Sequence, residues 1–136
     1  MNVLIDTNVL LSAALRDRLP ENVVRYVAAS DDCRWIVTAP ILLEYLEVVR
    51  RPKFGLTTET IRQWADLIAM RTLTVPSPPV DVSFPRDPKD AIFLSAAVSS
   101  GADFLITGDK DLLQSHASLA TRIISAADFA AEFKIT

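Results

Sequence analysis

The sequence predicts an α/β domain built on a parallel sheet, and two observations carry that prediction. Short, uniformly apolar runs such as Val3-Leu4-Ile5, Trp35-Ile36-Val37 and Phe104-Leu105-Ile106 alternate with stretches of helical periodicity. Runs without polar alternation must be buried on both sides, which parallel sheets achieve by placing crossover helices over each face. The chain has 136 residues, 50% of them hydrophobic, which is enough for one core and one domain over residues 1–136 and excludes wholesale disorder.

The elements follow in order. Val3-Leu4-Ile5 is a buried strand that stops at the polar turn Asp6-Thr7-Asn8, and an apolar helix runs from Val9 to Leu15. A second helix is expected from Glu21 to Ala29, because Pro20 suits a first turn and Val23, Val24, Tyr26 and Val27 supply an apolar face. Trp35-Ile36-Val37-Thr38 is the second strand. A helix then starts at Pro40 and runs through Arg50, Pro52 ends it, and Thr57 or Thr58 caps another that reaches Met70. Leu73-Thr74-Val75 is a short strand.

Five of the eight prolines fall between Pro76 and Pro88, so that segment is expected to cross the surface as an extended connection. Asp87-Pro88 opens a helix to Ser100, Gly101 closes it, and Asp103 to Thr107 forms a strand that stops at Gly108-Asp109. Arg122-Ile123-Ile124 is the last strand. Ser125, with Asp128 three residues on, starts the terminal helix from Ala126 to Phe133 in the manner of a capping box.

Composition excludes several classes of function. No apolar stretch approaches the roughly 20 residues that span a bilayer, and the first residues lack the basic start of a signal peptide, so no membrane association and a cytoplasmic location are expected. A single cysteine, Cys33, excludes an internal disulfide and a cysteine-based zinc cage. His116, the one histidine, excludes any mechanism that needs two. With 17 acids against 14 basic residues the net charge is −3, which does not advertise a nucleic-acid binder.

The positions of those acids are more informative. Ligands of open parallel sheets bind at the carboxyl ends of the strands. Asp6 ends the first strand, Glu44 lies in the opening turns of the helix after the second, Asp90 lies in the first turn of the Asp87 helix, and Asp109 follows the Phe104 to Thr107 strand. Helical phase places Glu44 at the border of the apolar arc beside Ile41 and Val48, with Glu47 further out. Asp90 shares a face with Phe93, Leu94 and Ala97.

Simpler roles remain open for most of them. Asp6 can cap the following helix, Glu44 can be a solvated rim residue, Asp87 is an N-cap, Asp109 can cap a helix from Lys110, and Asp111 is a first-turn acid favoured by the dipole. Capping does not explain Asp90, a carboxylate on an apolar stripe. Carboxylates at one site need a counter-charge, since like charges about 4 Å apart repel by roughly 4 kcal/mol at an effective dielectric near 20. Hard oxygen ligands without a His or Cys cluster select Mg²⁺ or Mn²⁺, the ions that assist phosphodiester hydrolysis.

Four segments carry a resemblance. Val3-Leu4-Ile5-Asp6-Thr7-Asn8-Val9, Thr38-Ala39-Pro40-Ile41-Leu42-Leu43-Glu44, Arg86-Asp87-Pro88-Lys89-Asp90 and Ile106-Thr107-Gly108-Asp109-Lys110-Asp111-Leu112 resemble, in order, the motifs of PIN-domain ribonucleases. Among these the chain is most similar to the VapC-like toxins of prokaryotic toxin–antitoxin systems. The resemblance spans essentially the whole chain. It implies a three-layer α/β/α sandwich around a parallel sheet of four or five strands, and RNA cleavage dependent on Mg²⁺ or Mn²⁺.

Carried over position by position, it makes Asp6, Glu44, Asp90 and Asp109 the catalytic, metal-holding quartet, with Asp111 as an accessory ligand and Thr7, Asn8 and Thr107 in support. It also implies a homodimer and a cognate antitoxin, with an apolar cleft near the first helices suited to a partner helix. The expected reaction is in-line attack of water on phosphorus, leaving 5′-phosphate and 3′-hydroxyl ends, a route that does not by itself distinguish RNA from DNA. Arg16 and Arg18, Arg50, Arg51 and Lys53, and Arg86 and Lys89 are the basic candidates for substrate contact, while Trp35 and Trp64 are assigned to the core or an interface. Two alternatives stand beside this reading. An Mg²⁺-dependent aspartate phosphatase also starts from a strand-end Asp but wants a second Asp where Asn8 stands, and a non-catalytic binding protein could share the fold.

Overall fold

A computed structural model describes residues 1–77, 88–114 and 120–136. Most of the expected Pro76 to Pro88 connection, Asp87 within it, and His116 lie outside the described residues. The elements are β1 (Asn2–Ile5), α1 (Thr7–Ala14), α2 (Arg18–Ala29), β2 (Arg34–Val37), α3 (Ala39–Val49), a 3₁₀ turn (Pro52–Phe54), α4 (Thr58–Arg71), β3 (Thr72–Thr74), α5 (Pro88–Ser100), β4 (Phe104–Ile106), α6 (Lys110–Gln114), β5 (Arg122–Ile124) and α7 (Ala126–Phe133).

The five strands form one sheet in the order β3-β2-β1-β4-β5, with every neighbouring pair parallel. On central β1, Val3, Leu4 and Ile5 expose no surface. Successive side chains on a strand point to opposite faces, so helices cover both sides and the architecture is the three-layer α/β/α sandwich. Burial on both sides does not extend to the edges. β3 exposes Leu73 and Thr74, because an edge strand has a neighbour on one side only and less helix above it.

Capping chemistry sets most element ends. Thr38 leaves β2 to cap α3, accepting from the Ile41 N–H, so the helix begins at Ala39 and not at Pro40. Thr57 accepts from the Thr60 N–H at 3.1 Å, and Ser125 from the Asp128 N–H at 3.0 Å. α2 starts at Arg18, three residues before the expected Glu21. Asp17 occupies its N-cap position, and Pro20 still falls in the first turn, where its missing N–H costs nothing. Gly101 ends α5 at φ +63°, a conformation that a side chain would strain.

The chain moves outward from β1 through β2 to β3 and then returns, laying β4 against the other side of β1. That reversal is the topological switch point, and ligands of such sheets lie beyond it at the strands' carboxyl ends. Ile5 is in register with Ile106, and the Asp6 N–H donates to the Ile106 carbonyl at 2.9 Å. The loops after β1 and β4 therefore start side by side.

Candidate active site

Four acids more than one hundred residues apart at their extremes line a single cleft at this switch point. Asp6 comes from the end of β1, Glu44 from the middle of α3, Asp90 from the first turn of α5 and Asp109 from the loop after β4. Thr7, Asn8, Leu11, Val48, Arg51, Lys53, Phe54 and Phe93 complete the walls around about 200 Å³ of space.

Asp6 is buried, with 8% of its surface exposed. It occupies the N-cap position of α1, yet its side chain makes no capping bond, which corrects the capping alternative. Its Oδ2 instead accepts from the Thr107 hydroxyl at 2.8 Å. Burial pushes the carboxyl above its ordinary range; the Thr107 hydroxyl and the Thr7 N–H pull it back, while the charges of Glu44 and then Asp109 push it further up.

Thr107 is fully buried and serves two acids at once. It donates to Asp6, and its Oγ accepts from the Asp109 N–H at 3.0 Å. The Thr7 hydroxyl donates to Glu44 Oε2, which ties α1 to α3 immediately beside Asp6. Glu44 is half-buried at the border of the face that buries Ile41, Tyr45 and Val48. Asp90 is half-buried one turn before Phe93, which is itself buried against the cleft. Asp109 fills both roles considered for it: Oδ1 accepts from the Asp111 and Leu112 N–H groups at the start of α6, and the residue lines the cleft. Asn8 is exposed on the cleft wall, whereas Asp111 is exposed and does not line it.

The basic residues divide clearly. Arg51 and Lys53 line the cleft. Arg50 faces a shallow hollow with Leu43, Leu46 and Pro52, and Arg16 and Arg18 are exposed and do not line the cleft. Arg86 and the side chain of Lys89 lie outside the described residues. Trp35 and Trp64 are buried in the core.

Two residues escaped the sequence reading. Helical phase puts Tyr45 on the apolar arc with Ile41 and Val48, yet its buried hydroxyl donates to the Ile5 carbonyl and receives the Trp35 indole N–H at 3.4 Å. Burial holds its phenol protonated far above the usual range. Phe54 was not singled out; the available signal was its place in the turn that follows Glu44, Val48 and Arg51, which recur at helical spacing on one face.

The donor set fits a hard divalent cation. Carboxylate, hydroxyl and side-chain amide oxygens line the cleft, and among the described residues no His or Cys does. Among the described residues no three acidic side chains form a ready-made cage. Mg²⁺ does not require one, since it commonly keeps several waters and takes one or two carboxylates together with substrate phosphate.

Residues 2–111 match the family model described as PIN domain. No curated protein matches the chain. A crystal structure of VapBC2 from Rickettsia felis bound to a DNA fragment from its promoter superposes with a TM-score of 0.63 at 13% identity, covering 92% of this chain and 98% of that one. PAE2754 from Pyrobaculum aerophilum gives 0.58 at 15% identity, covering 98% of this chain and 88% of the other. At such identities these likenesses speak for the fold.

Proposed function

Since this chain belongs to the PIN domain family, we propose that it is an endoribonuclease that hydrolyses RNA phosphodiester bonds with Mg²⁺ or Mn²⁺, as the toxin of a type II toxin–antitoxin pair. One observation supports this above the rest: Asp6, Glu44, Asp90 and Asp109 reach the same cleft from four separate elements. Capping accounts for one of them, Asp109, and not for their convergence.

Asp6, Glu44, Asp90 and Asp109 would hold the ion between them, through carboxylate oxygens or through waters the ion keeps, and when bound it would offset their repulsion, favour ionisation of water and steady the leaving oxygen. The chain's own residues do the positioning. Thr107 fixes the Asp6 carboxylate through Oδ2 and the Asp109 backbone through its N–H, and Thr7 fixes Glu44. Arg51 and Lys53 meet the phosphate charge that four carboxylates alone would repel. Water forms the new P–O bond as the P–O3′ bond breaks; one proton of that water ends on O3′, and the phosphate remains on O5′ of the downstream fragment.

The toxin role, the antitoxin and the dimer rest on similarity to VapC-like proteins, a likeness shared by the fold of the Rickettsia felis VapBC2 complex. Co-expression with the product of an adjacent small reading frame, followed by sizing of the complex, tests all three. No helix among the described residues is long and apolar enough to cross a membrane. Family membership leaves the aspartate-phosphatase alternative without support.

The direct test incubates purified protein with single-stranded and structured RNA, with Mg²⁺ or Mn²⁺ against EDTA, beside Asp6→Asn and Asp90→Asn. Cleavage that needs the metal and is lost in both variants is expected. Metal-independent cleavage, or cleavage undiminished in both, refutes the proposed site. Absence of cleavage with retained RNA binding would favour a non-catalytic binding protein.

A further inference from the structure

Resting on the nuclease reading, we propose that the 3₁₀ turn after α3 carries a subsite for one unpaired nucleotide, in which Phe54 stacks a base while Lys53 takes an adjacent phosphate. Phe54 and Lys53 are newly assigned to that subsite, whose contribution to binding is confined to RNA that offers an unstacked base.

The argument starts from which aromatic surface is available. Phe54 and Phe93 are the aromatics that line the acidic cleft among the described residues, and Phe93 is 1% exposed, so its ring is spent on the core. Both tryptophans are buried, and Tyr26 packs against Phe129 and Phe133 away from the cleft. Phe54 is half-buried and lines the cleft. Lys53 Nζ lies 5.1 Å from its ring centroid, so a cation and a π-face are presented together.

Charge points the same way. Arg51 is already paired with Glu47 at 2.8 Å, whereas among the described residues no carboxylate pairs with Lys53. An exposed ammonium that lines the acid cleft and pairs with no carboxylate among the described residues is suited to an incoming phosphate. The turn that carries it is preorganised: the Phe54 N–H donates to the Arg51 carbonyl at 3.1 Å, the Gly55 N–H to Pro52 at 3.0 Å, and Gly55 sits at φ +64°. A main chain already held in place loses less entropy when the ligand arrives.

A base in a duplex has both faces stacked and cannot lie on Phe54 without unpairing, whereas an unpaired base offers a free face. A cleft of about 200 Å³ also admits single groups, not a helix.

The test measures equilibrium binding of a labelled single-stranded RNA and of the same sequence as a duplex, in the Asp6→Asn background so that the RNA stays intact. Adding Phe54→Ala should weaken single-strand binding by about 5- to 100-fold and leave duplex binding unchanged. Phe54→Trp, which keeps a π-face, should restore it. Lys53→Gln should reduce the slope of log K against log salt by about 0.7 on the single strand. Phe54→Ala binding both RNAs as its parent does, or losing both equally, overturns the proposal. If cleavage by the otherwise unaltered enzyme is sensitive to Asp6→Asn but indifferent to Phe54→Ala, the subsite fails and the nuclease reading stands. If no cleavage occurs and the Phe54 effect on binding persists, the nuclease reading fails and the subsite stands.

Discussion

The buried hydroxyl of Tyr45 donates to the main-chain carbonyl of Ile5, so the residue after Glu44 is bonded to the residue before Asp6. Together with the Thr7–Glu44 bond, this contact sets the spacing between α3 and the end of β1, and with it the two acids that those elements deliver. Tyr45→Phe keeps the ring packing and removes the hydroxyl, which loses the bond to Ile5 and the acceptor of the Trp35 indole N–H. It should cost about 1–2 kcal/mol of stability and lower kcat about tenfold while leaving RNA Kd unchanged. Thermal melts with single-turnover kinetics check this; an unchanged kcat would make the bond purely structural.

Thr107 offers a sharper test of positioning, because its hydroxyl both donates to Asp6 and accepts from Asp109. Thr107→Val retains the shape and loses both bonds, and should reduce activity or metal affinity about 10- to 100-fold. Thr107→Ser retains the hydroxyl and should recover most of it. Equal effects of Val and Ser would locate the loss in packing instead.

Asp6 governs metal-free stability. Its carboxyl titrates above 3.8 in the folded chain, chiefly through burial. A carboxyl that binds its proton more tightly when folded makes stability fall as pH rises from the unfolded value through the raised one, and stay lower above it. In EDTA at neutral pH, Asp6→Asn should therefore melt higher than the parent, by about 2–8 °C for a gain of about 1–2 kcal/mol. Melting curves between pH 4 and 8 should converge at the acid end; a variant no more stable at neutral pH would contradict the charge argument.

Metal should appear in stability as well as in activity. An ion that binds only the folded chain stabilises it by about 2.7 kcal/mol at a hundred times its Kd. Titrating Mg²⁺ or Mn²⁺ should raise the Tm of the parent, and Asp90→Asn should blunt that rise. A Tm indifferent to both ions would separate the acids from metal binding.

The basic residues should sort by position. Arg51→Ala should raise KM severalfold, since Arg51 lines the acid cleft, whereas Arg16→Ala and Arg18→Ala, at positions that do not line it, should leave cleavage of a short oligonucleotide unchanged. Steady-state kinetics at fixed salt distinguishes them.

The order of strands and helices was legible in the sequence because local chemistry writes it. Apolar runs end at polar turns, Ser125 and Thr57 cap their helices, and Gly101 stops α5 in the left-handed region. The last strand and last helix fall where the sequence places them, at Arg122–Ile124 and Ala126–Phe133. The start of α2 was less legible, because Asp17, Glu21 and Pro20 all suit a helix beginning, and Asp17 takes the N-cap position without a side-chain capping bond to mark it.

Of the site, sequence alone marked the four acids, by their positions after strands and on helix faces. It could not decide their surroundings. That Asp6 turns away from capping toward Thr107, that Tyr45 spends its hydroxyl on Ile5, and that Lys53 and Phe54 join the cleft while Arg16 and Arg18 do not are outcomes of contacts between distant residues. Periodicity and capping are read over a few neighbouring positions, so they determine elements and the faces they offer. Which faces meet, and which polar atoms are left to pair once water is excluded, depends on sheet order and crossover, and only the folded chain decides those.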